Sequence, residues 1–241
     1  MTAYRPCLFL FILFFFVSLS CIPLSSGTEK IGNPGEGGTT ILLPTPKLQG
    51  LISLEEAIYS RRSIRRFKNQ SLKLSEVGQL LWAAGGKTID GLTGATRAYP
   101  SAGGIYPLTI YLAAGNVTGL YPGLYHYDWK GHSLTLLKSG DFRPELTRAA
   151  WGQQFISSAP ISIIISGEME RGVARYGPRA ETRYIPMDTG HAGQNISLQA
   201  QALGLGSVIV GTFNDEAVKT VTGLKKEIPL YIIPVGKKEG E

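Results

Sequence analysis

Residues 159–167 read APISIIISG, a run that is nearly all apolar. Bounded by Pro160 and Gly167 and rich in β-branched side chains, it reads as a buried strand. Such a strand keeps no polar face for water, so the chain must build a sheet and cover it with packed helices. No disulfide helps it. The two cysteines, Cys7 and Cys21, both precede the folded part, so stability must come from the core.

The flanking segments supply the cover. In SLEEAIYSRR, Ser53 and Glu56 have capping-box spacing, and Leu54, Ala57 and Ile58 recur at helical intervals. LSEVGQLLWAAGG predicts a second helix, with Val77, Leu80, Leu81 and Ala84 on one face and Gly85-Gly86 ending it. A loop runs on to Ile105. PLTIYLAAG reads as a strand, and GLYHYDWKGHSLTLLK as a hairpin joined through Lys130-Gly131. RPELTRAAWGQQF predicts one helix starting at Pro144, with Trp82 and Trp151 as core residues and the hairpin's His126 and His132 exposed. DTGHAGQNISLQAQALG predicts a long helix from Asp188 or Thr189, closed by Gly204. GSVIVG, the helix NDEAVKTVTG and the strand IPLYIIPVG finish the chain. Helices and strands interspersed around a hairpin make the fold class α+β, a mixed sheet with helices against it.

The N-terminus is separate. After Arg5 comes CLFLFILFFFVSLSC, an apolar stretch of about 13–16 residues with Ser18 and Ser20 at a cleavage point, which reads as a secretory signal. A spanning helix needs about 20 apolar residues, so an uncleaved anchor ranks second. Cys21 raises a lipoprotein reading, although Ser18 stands where the bacterial lipobox has an aliphatic residue. Residues 1–20 are thus read as signal, the Gly/Pro/Ser/Thr-rich 21–50 as a flexible tether, and 51–241 as one domain. The expected location is exported, periplasmic or extracytoplasmic, with membrane anchoring through the N-terminus if Cys21 is lipidated.

The net charge of +6 with clustered arginines points to an anionic small ligand rather than nucleic acid. RRSIRRF, residues 61–67, holds four arginines. In an extended segment Arg61, Ser63 and Arg65 alternate and point one way, so two guanidinium forks and a hydroxyl can converge on one phosphate. Arg62 and Arg66 point elsewhere. Solvated arginines at a helix end, favoured by its dipole, are the plain alternative. In YPSAGGIYPL the small residues allow close backbone approach to a flat ligand, and the amides of Ser101 to Gly104 can donate to it. In ALGLGSVIVGTF, Gly204 and Gly206 join a helix to a strand that Gly211 ends. Ordinary turns would also explain both.

Taken in order, the three stretches resemble the FMN-dependent nitroreductase-like flavoproteins. Arg61, Ser63 and Arg65, with Arg62 among them, are similar to the family's opening motif, which holds the flavin phosphate and the pyrimidine side. Pro100, Ser101, Ala102, Gly103 and Gly104 resemble the segment that reaches a flavin across the dimer interface. Gly206 and Gly211 resemble the segment whose backbone amide faces flavin N5. The likeness spans 53–238 and is greatest to the SagB/ThcOx-type dehydrogenases, through the hairpin, the long helix and PSAGGIYP; Ala102-Gly103-Gly104 replaces an Asn-containing version found in classical nitroreductases.

The resemblance implies a mixed, mainly antiparallel sheet flanked by helices, a homodimer with two FMN sites, and arginines that stabilise negative charge on the reduced isoalloxazine. It implies electron and hydride transfer in two steps between a reductant, NAD(P)H among the candidates, and a small acceptor such as a nitroaromatic or quinone. An azoline-type peptide dehydrogenase and a non-catalytic flavin-binding protein are the alternatives. Tyr184 is the candidate proton donor, with Arg183 beside it; anchoring the helix entrance is its plainer role. Asp188 and His191 are three residues apart, but no third ligand is suitably spaced, so no metal is expected; capping by Asp188 and packing of His191 are preferred. Gln194 and Asn195 are expected at the dimer interface, and Lys237 and Lys238 are weak phosphate candidates. An exported enzyme would meet little NAD(P)H, which favours a quinone or a membrane redox partner.

Overall fold

The computed structural model describes Met1, residues 38–91 and residues 94–240. The apolar run with Cys7 and Cys21, and the start of the tether, lie outside the described residues. The strands are β1 (Thr40–Leu42), β2 (Leu72–Lys73), β3 (Lys87–Gly91), β4 (Gly94–Arg97), β5 (Leu108–Ala114), β6 (Val117–Thr118), β7 (Gly123–Asp128), β8 (Ser133–Ser139), β9 (Ile161–Gly167), β10 (Leu205–Ser207) and β11 (Ile228–Lys237). The helices are α1 (Leu54–Ser60), α2 (Leu74–Gly85), α3 (Arg143–Ala149), α4 (Phe155–Ser158), α5 (Met169–Tyr176), α6 (Ile185–Ala202) and α7 (Asp215–Thr222), with a π-helical turn at Ala180–Tyr184.

The expected buried strand, β9, lies inside a seven-stranded sheet of order β1-β8-β7-β5-β9-β11-β10. Every neighbouring pair in that sheet is antiparallel, while the small β2–β6 pair is parallel. All seven β9 residues are buried. Its pleat sends Ile161, Ile163 and Ile165 to one face, where Leu80 and Leu81 of α2 and Ile196 of α6 meet them. Ile164 goes to the other, against Leu146 of α3, Ile156 of α4 and Val218 of α7. Each such isoleucine contributes about 1.5–3 kcal/mol by leaving water, which is why the helices divide between two layers.

Local signals account for most element ends. Ser53 Oγ accepts from Glu56 N at 3.0 Å to start α1. Asn214 Oδ1 accepts from Ala217 N at 2.9 Å to start α7, and left-handed Gly223 closes it. Gly86 ends α2 for a different reason than a left-handed turn, since its backbone is extended. A Cβ there would stand 2.9 Å from the Trp82 backbone and from the Tyr127 hydroxyl, so the requirement is space.

Several expectations need correction. Residues 40–42, inside the stretch read as tether, pair with β8, and Leu43 N donates to His132 O at 3.0 Å. The expected loop after α2 contains the β3–β4 hairpin. The single helix expected from Pro144 breaks where Trp151 and Gly152 both take positive φ. That turn throws Trp151 outward, 67% exposed, so it is not a core residue. Trp82 is half-buried and donates to Lys87 O at 2.9 Å. His126 and His132 are half-buried rather than exposed. His126 packs edge-on against Tyr111, and His132 bonds the Tyr127 hydroxyl at 2.8 Å and Pro44 O at 3.1 Å. The segment α5 and the π-turn were not anticipated, and they carry the chain directly into α6, three residues before Asp188.

Candidate functional site

The first and third motifs meet. After α1 the chain runs extended, and Ser63 bridges Ser207 of β10 in parallel, with Ile64 N donating to Ser207 O at 2.9 Å. The Ile64 side chain fills the space a Cβ on Gly206 would need, 2.7 Å from it. Phe67 packs the same way on Gly236, 3.0 Å from that position. Burial along 61–67 therefore recurs every third residue, at half-buried Arg61, at Ile64 and at Phe67, rather than in strict alternation.

The remaining side chains face outward. Ser63 and Arg65 are exposed. Among the described residues, the side chains of Arg61, Ser63 and Arg65 make no hydrogen bond or ion pair; Arg65 only lies over the Phe155 ring at 5.9 Å. Arg62 is different, folded back onto the carbonyls of Tyr59 and Arg61 at 2.8 Å each. Lys237 is held by Glu76 at 2.6 Å. Gly211, past β10, is exposed, and a Cβ there would meet only Tyr231, at 3.8 Å. Neither packing nor backbone conformation in this chain demands a glycine at that position.

The second motif is built on a buried acid. Asp188 is 3% exposed. Its Oδ2 accepts from Ser101 Oγ at 2.5 Å and its Oδ1 from Ala102 N at 3.3 Å, while Ser101 Oγ also accepts from Tyr106 N at 2.9 Å. Asp188 thus ties the loop to α6 and caps no helix. Burial raises its pKa above the ordinary 3.8, opposed by the bonds from Ser101 and Ala102. Of the four amides from Ser101 to Gly104, Ala102 is engaged with Asp188 and Gly104 with Ser101 O at 3.0 Å. Ser101 and Gly103 are the remaining two. His191 Nδ1 lies 3.3 Å from Pro100 O, and Asn195 donates to Ala98 O at 2.8 Å, which makes Asn195 an internal tie. Gln194 is exposed.

Arg97, just before the loop, is a buried cation with no carboxylate partner among the described residues. It donates to Gly85 O at 2.6 Å and Leu108 O at 3.1 Å and lies between the rings of Tyr99 and Trp129, at 5.1 and 5.2 Å. Burial lowers its pKa and pushes Tyr99 up to about 12. Above the loop, the Tyr176 hydroxyl and the Arg175 guanidinium crowd the position of a Cβ on Gly103, whose φ is +59°. Tyr184, half-buried at the end of the π-turn, packs against Tyr176 with ring centroids 4.9 Å apart and the planes tilted by 56°.

Helix α6 holds the two halves of the site apart. Asp188 anchors the second motif at its start, and Gln201 near its end donates to Ser60 Oγ at 2.9 Å, beside Arg61. The two anchors are separated by about 20 Å along the helix. Three clefts, of about 420, 380 and 240 Å³, lie elsewhere: none is lined by Arg61, Ser63, Arg65, 100–104 or 206–211. Ser63, Arg65, Pro100, Gly103, Gly104 and Gly211 are exposed, whereas Gly206 is buried under Ile64. Among the described residues no three His, Cys, Asp or Glu side chains are arranged to hold a metal, and no helix is long and apolar enough to cross a membrane.

The sequence matches the Nitroreductase family over residues 58–237. A candidate nitroreductase of Methanocaldococcus jannaschii is 38% identical over 201 residues, covering 83% of this chain and 98% of that protein. Among solved structures, a candidate nitroreductase of Ralstonia eutropha superposes with a TM-score of 0.72 at 28% identity, covering 84% of this chain and 90% of that one. Two more distant ones share the fold. A chain in the Escherichia coli microcin synthetase McbBCD complex with truncated pro-MccB17 gives a TM-score of 0.62 at 22% identity, over 83% of this chain and 79% of the other. The NADPH:FMN oxidoreductase of Vibrio harveyi complexed with NAD+ gives 0.56 at 19%, over 78% and 69%.

Proposed function

The chain belongs to the Nitroreductase family, and from that premise we propose that it is an FMN-dependent oxidoreductase working as a homodimer. The observation that carries the proposal is the separation along α6. The first motif and Gly206 lie at its end and the second motif at its start, about 20 Å away, while Gly211 lies beside its middle, where Tyr231 borders both Gly193 and Gly211. A two-fold partner with its α6 antiparallel would bring the start of one helix beside the end of the other. Each flavin would then lie between Arg61, Ser63, Arg65, Gly206 and Gly211 of one protomer and 100–104 of its partner.

The residues fit such a group. The Arg61 and Arg65 guanidinium groups, without acidic partners among the described residues, are suited to a phosphate and to the electron-rich edge of the ring. Gly211 leaves open a space that a flat ligand would use. When bound, FMN supplies the hydride and electron transfer. The chain's part is to orient it, to offer the remaining amides of Ser101 and Gly103 as donors, and to present the Tyr184 hydroxyl as a proton source for the substrate. NAD(P)H as donor and a nitroaromatic or quinone as acceptor fit the family. The likeness to a microcin synthetase chain favours, as a second reading, a SagB-type dehydrogenase acting on azolines in a peptide.

The test is a visible spectrum of the purified protein incubated with FMN, taken before and after NADH or NADPH and then after a nitroaromatic or quinone. Retained flavin that bleaches and recovers supports the enzyme. Retained flavin that ignores both nicotinamides moves the search to other donors. A protein that refuses FMN sinks the proposal, starting with Arg61, Ser63 and Arg65. We further read residues 1–20 as an export signal ahead of the tether and the domain. A fusion that leaves the domain in the cytoplasm would end that reading.

A further inference from the structure

Four arginines recur every fourth residue in RGVARYGPRAETRY: Arg171, Arg175, Arg179 and Arg183. They run from α5 through the π-turn to Tyr184, and Arg171 and Arg175 border the 101–105 loop. Arg171 is engaged, donating to Ile105 O at 3.0 Å and pairing with Glu168 at 3.5 Å. The other three are exposed and have no ion pair among the described residues. Nearby acids do not neutralise them: Glu170 pairs with Lys226 at 3.3 Å, Asp188 is buried on Ser101 and Ala102, and Glu181 is exposed and also unpaired.

Arg175 is the best placed of the three. A Cβ on Gly103 would stand 3.1 Å from its Nε and 3.3 Å from its Cζ, so its guanidinium lies on the loop proposed to meet the flavin. It also borders the Tyr176 ring, 5.7 Å from the centroid, and that ring packs at a tilt against Tyr184. A planar cation bordering the Tyr176 phenol, with no ion pair among the described residues, is arranged to take a carboxylate while a flat group lies along that ring. We propose that the substrate of this site is an anionic planar compound, a carboxylate joined to the reducible or oxidisable group, recognised by Arg175 with Arg179 and Arg183 raising the local positive potential. This rests on the flavin reading above and adds the charge of the substrate to it.

The experiment titrates the flavin-loaded full chain with benzoate and with benzamide, the same ring with and without the charge, following the flavin absorbance. Benzoate is expected to bind about tenfold more tightly than benzamide, the scale of one charge-assisted contact. Added salt should reduce the preference, and Arg175→Gln should abolish it while leaving FMN retention and benzamide binding unchanged. Arg175→Lys, keeping charge without the fork, should recover part of it. No preference for the anion, or a preference that survives Arg175→Gln, overturns the proposal. Loss of FMN from Arg175→Gln overturns it too, by assigning the arginine to the cofactor. A wild-type chain that takes up no FMN is seen before any ligand is added and counts against the flavin reading itself.

Discussion

At the scale of single residues, glycine 206 and glycine 211 answer to different partners. Ile64 occupies the Cβ space of Gly206 at 2.7 Å, and both contacting Ile64 atoms lie close to its backbone. Gly206→Ala must therefore push the 63–65 segment off β10. It should cost about 1–3 kcal/mol, as overpacking does, and weaken FMN binding with it. Gly211→Ala meets only Tyr231 at 3.8 Å, so its melting temperature should match the wild type, within the roughly 0.5 kcal/mol usual for surface changes. Its flavin should nonetheless be lost. Thermal melts with and without FMN separate the two, and an alanine at 211 that keeps its flavin would remove that glycine from the site. The sequence displays both glycines alike. What it hides is that Ile64 of one motif is the reason for Gly206 of another, a relation that exists only once β10 and the 61–67 segment lie side by side.

At the scale of elements, patterns with a long period or a strong cap were readable in advance, and those set by a distant neighbour were not. The β9 run, the α2 face and the Ser53 cap are local statements about hydrophobicity and hydrogen bonding. The π-turn is not, because Gly177-Pro178 reads as a break while the chain coils on past it into α6. Asp188 reads as a cap because the long helix is expected to begin beside it; its partners, Ser101 and Ala102, are far away in sequence. The hairpin histidines show the same limit and carry a consequence for pH. Burial lowers both His126 and His132 below the ordinary 6.5, so the folded state holds them neutral while the unfolded chain protonates more readily. Their contribution is complete above pH 6.5 and is lost as pH falls from there through the depressed folded values. Acidification should lower the melting temperature across that window, and the slope should flatten in His132→Gln, whose amide titrates nothing. A slope unchanged by that substitution would mean His132 does not contribute to it.

At the scale of the whole molecule, sequence order implied the family while concealing how far apart its motifs fall in the fold. The motifs appear consecutively in the sequence, yet α6 spaces the anchors of the first and second about 20 Å apart, and none of the three clefts is lined by them. The surface of α1 points the same way. Only Ala57 of that helix is buried, and Leu54, Ile58 and Tyr59 are 61%, 56% and 82% exposed, with Leu51 just ahead at 99%. Leu54 and Ile58 are one turn apart and form an apolar edge that water solvates poorly. It adjoins Arg61 and the end of α6, where a partner's loop would have to arrive for each flavin to be enclosed. Ile58→Asp places a charge in the middle of that edge without touching the core of the protomer. In sedimentation experiments the wild-type chain should behave as a dimer carrying FMN, and Ile58→Asp should give a folded monomer that has lost its flavin. Dimer and flavin should disappear together if each flavin lies between two protomers, as proposed. A monomeric variant that keeps its FMN would show that the second motif acts within its own chain.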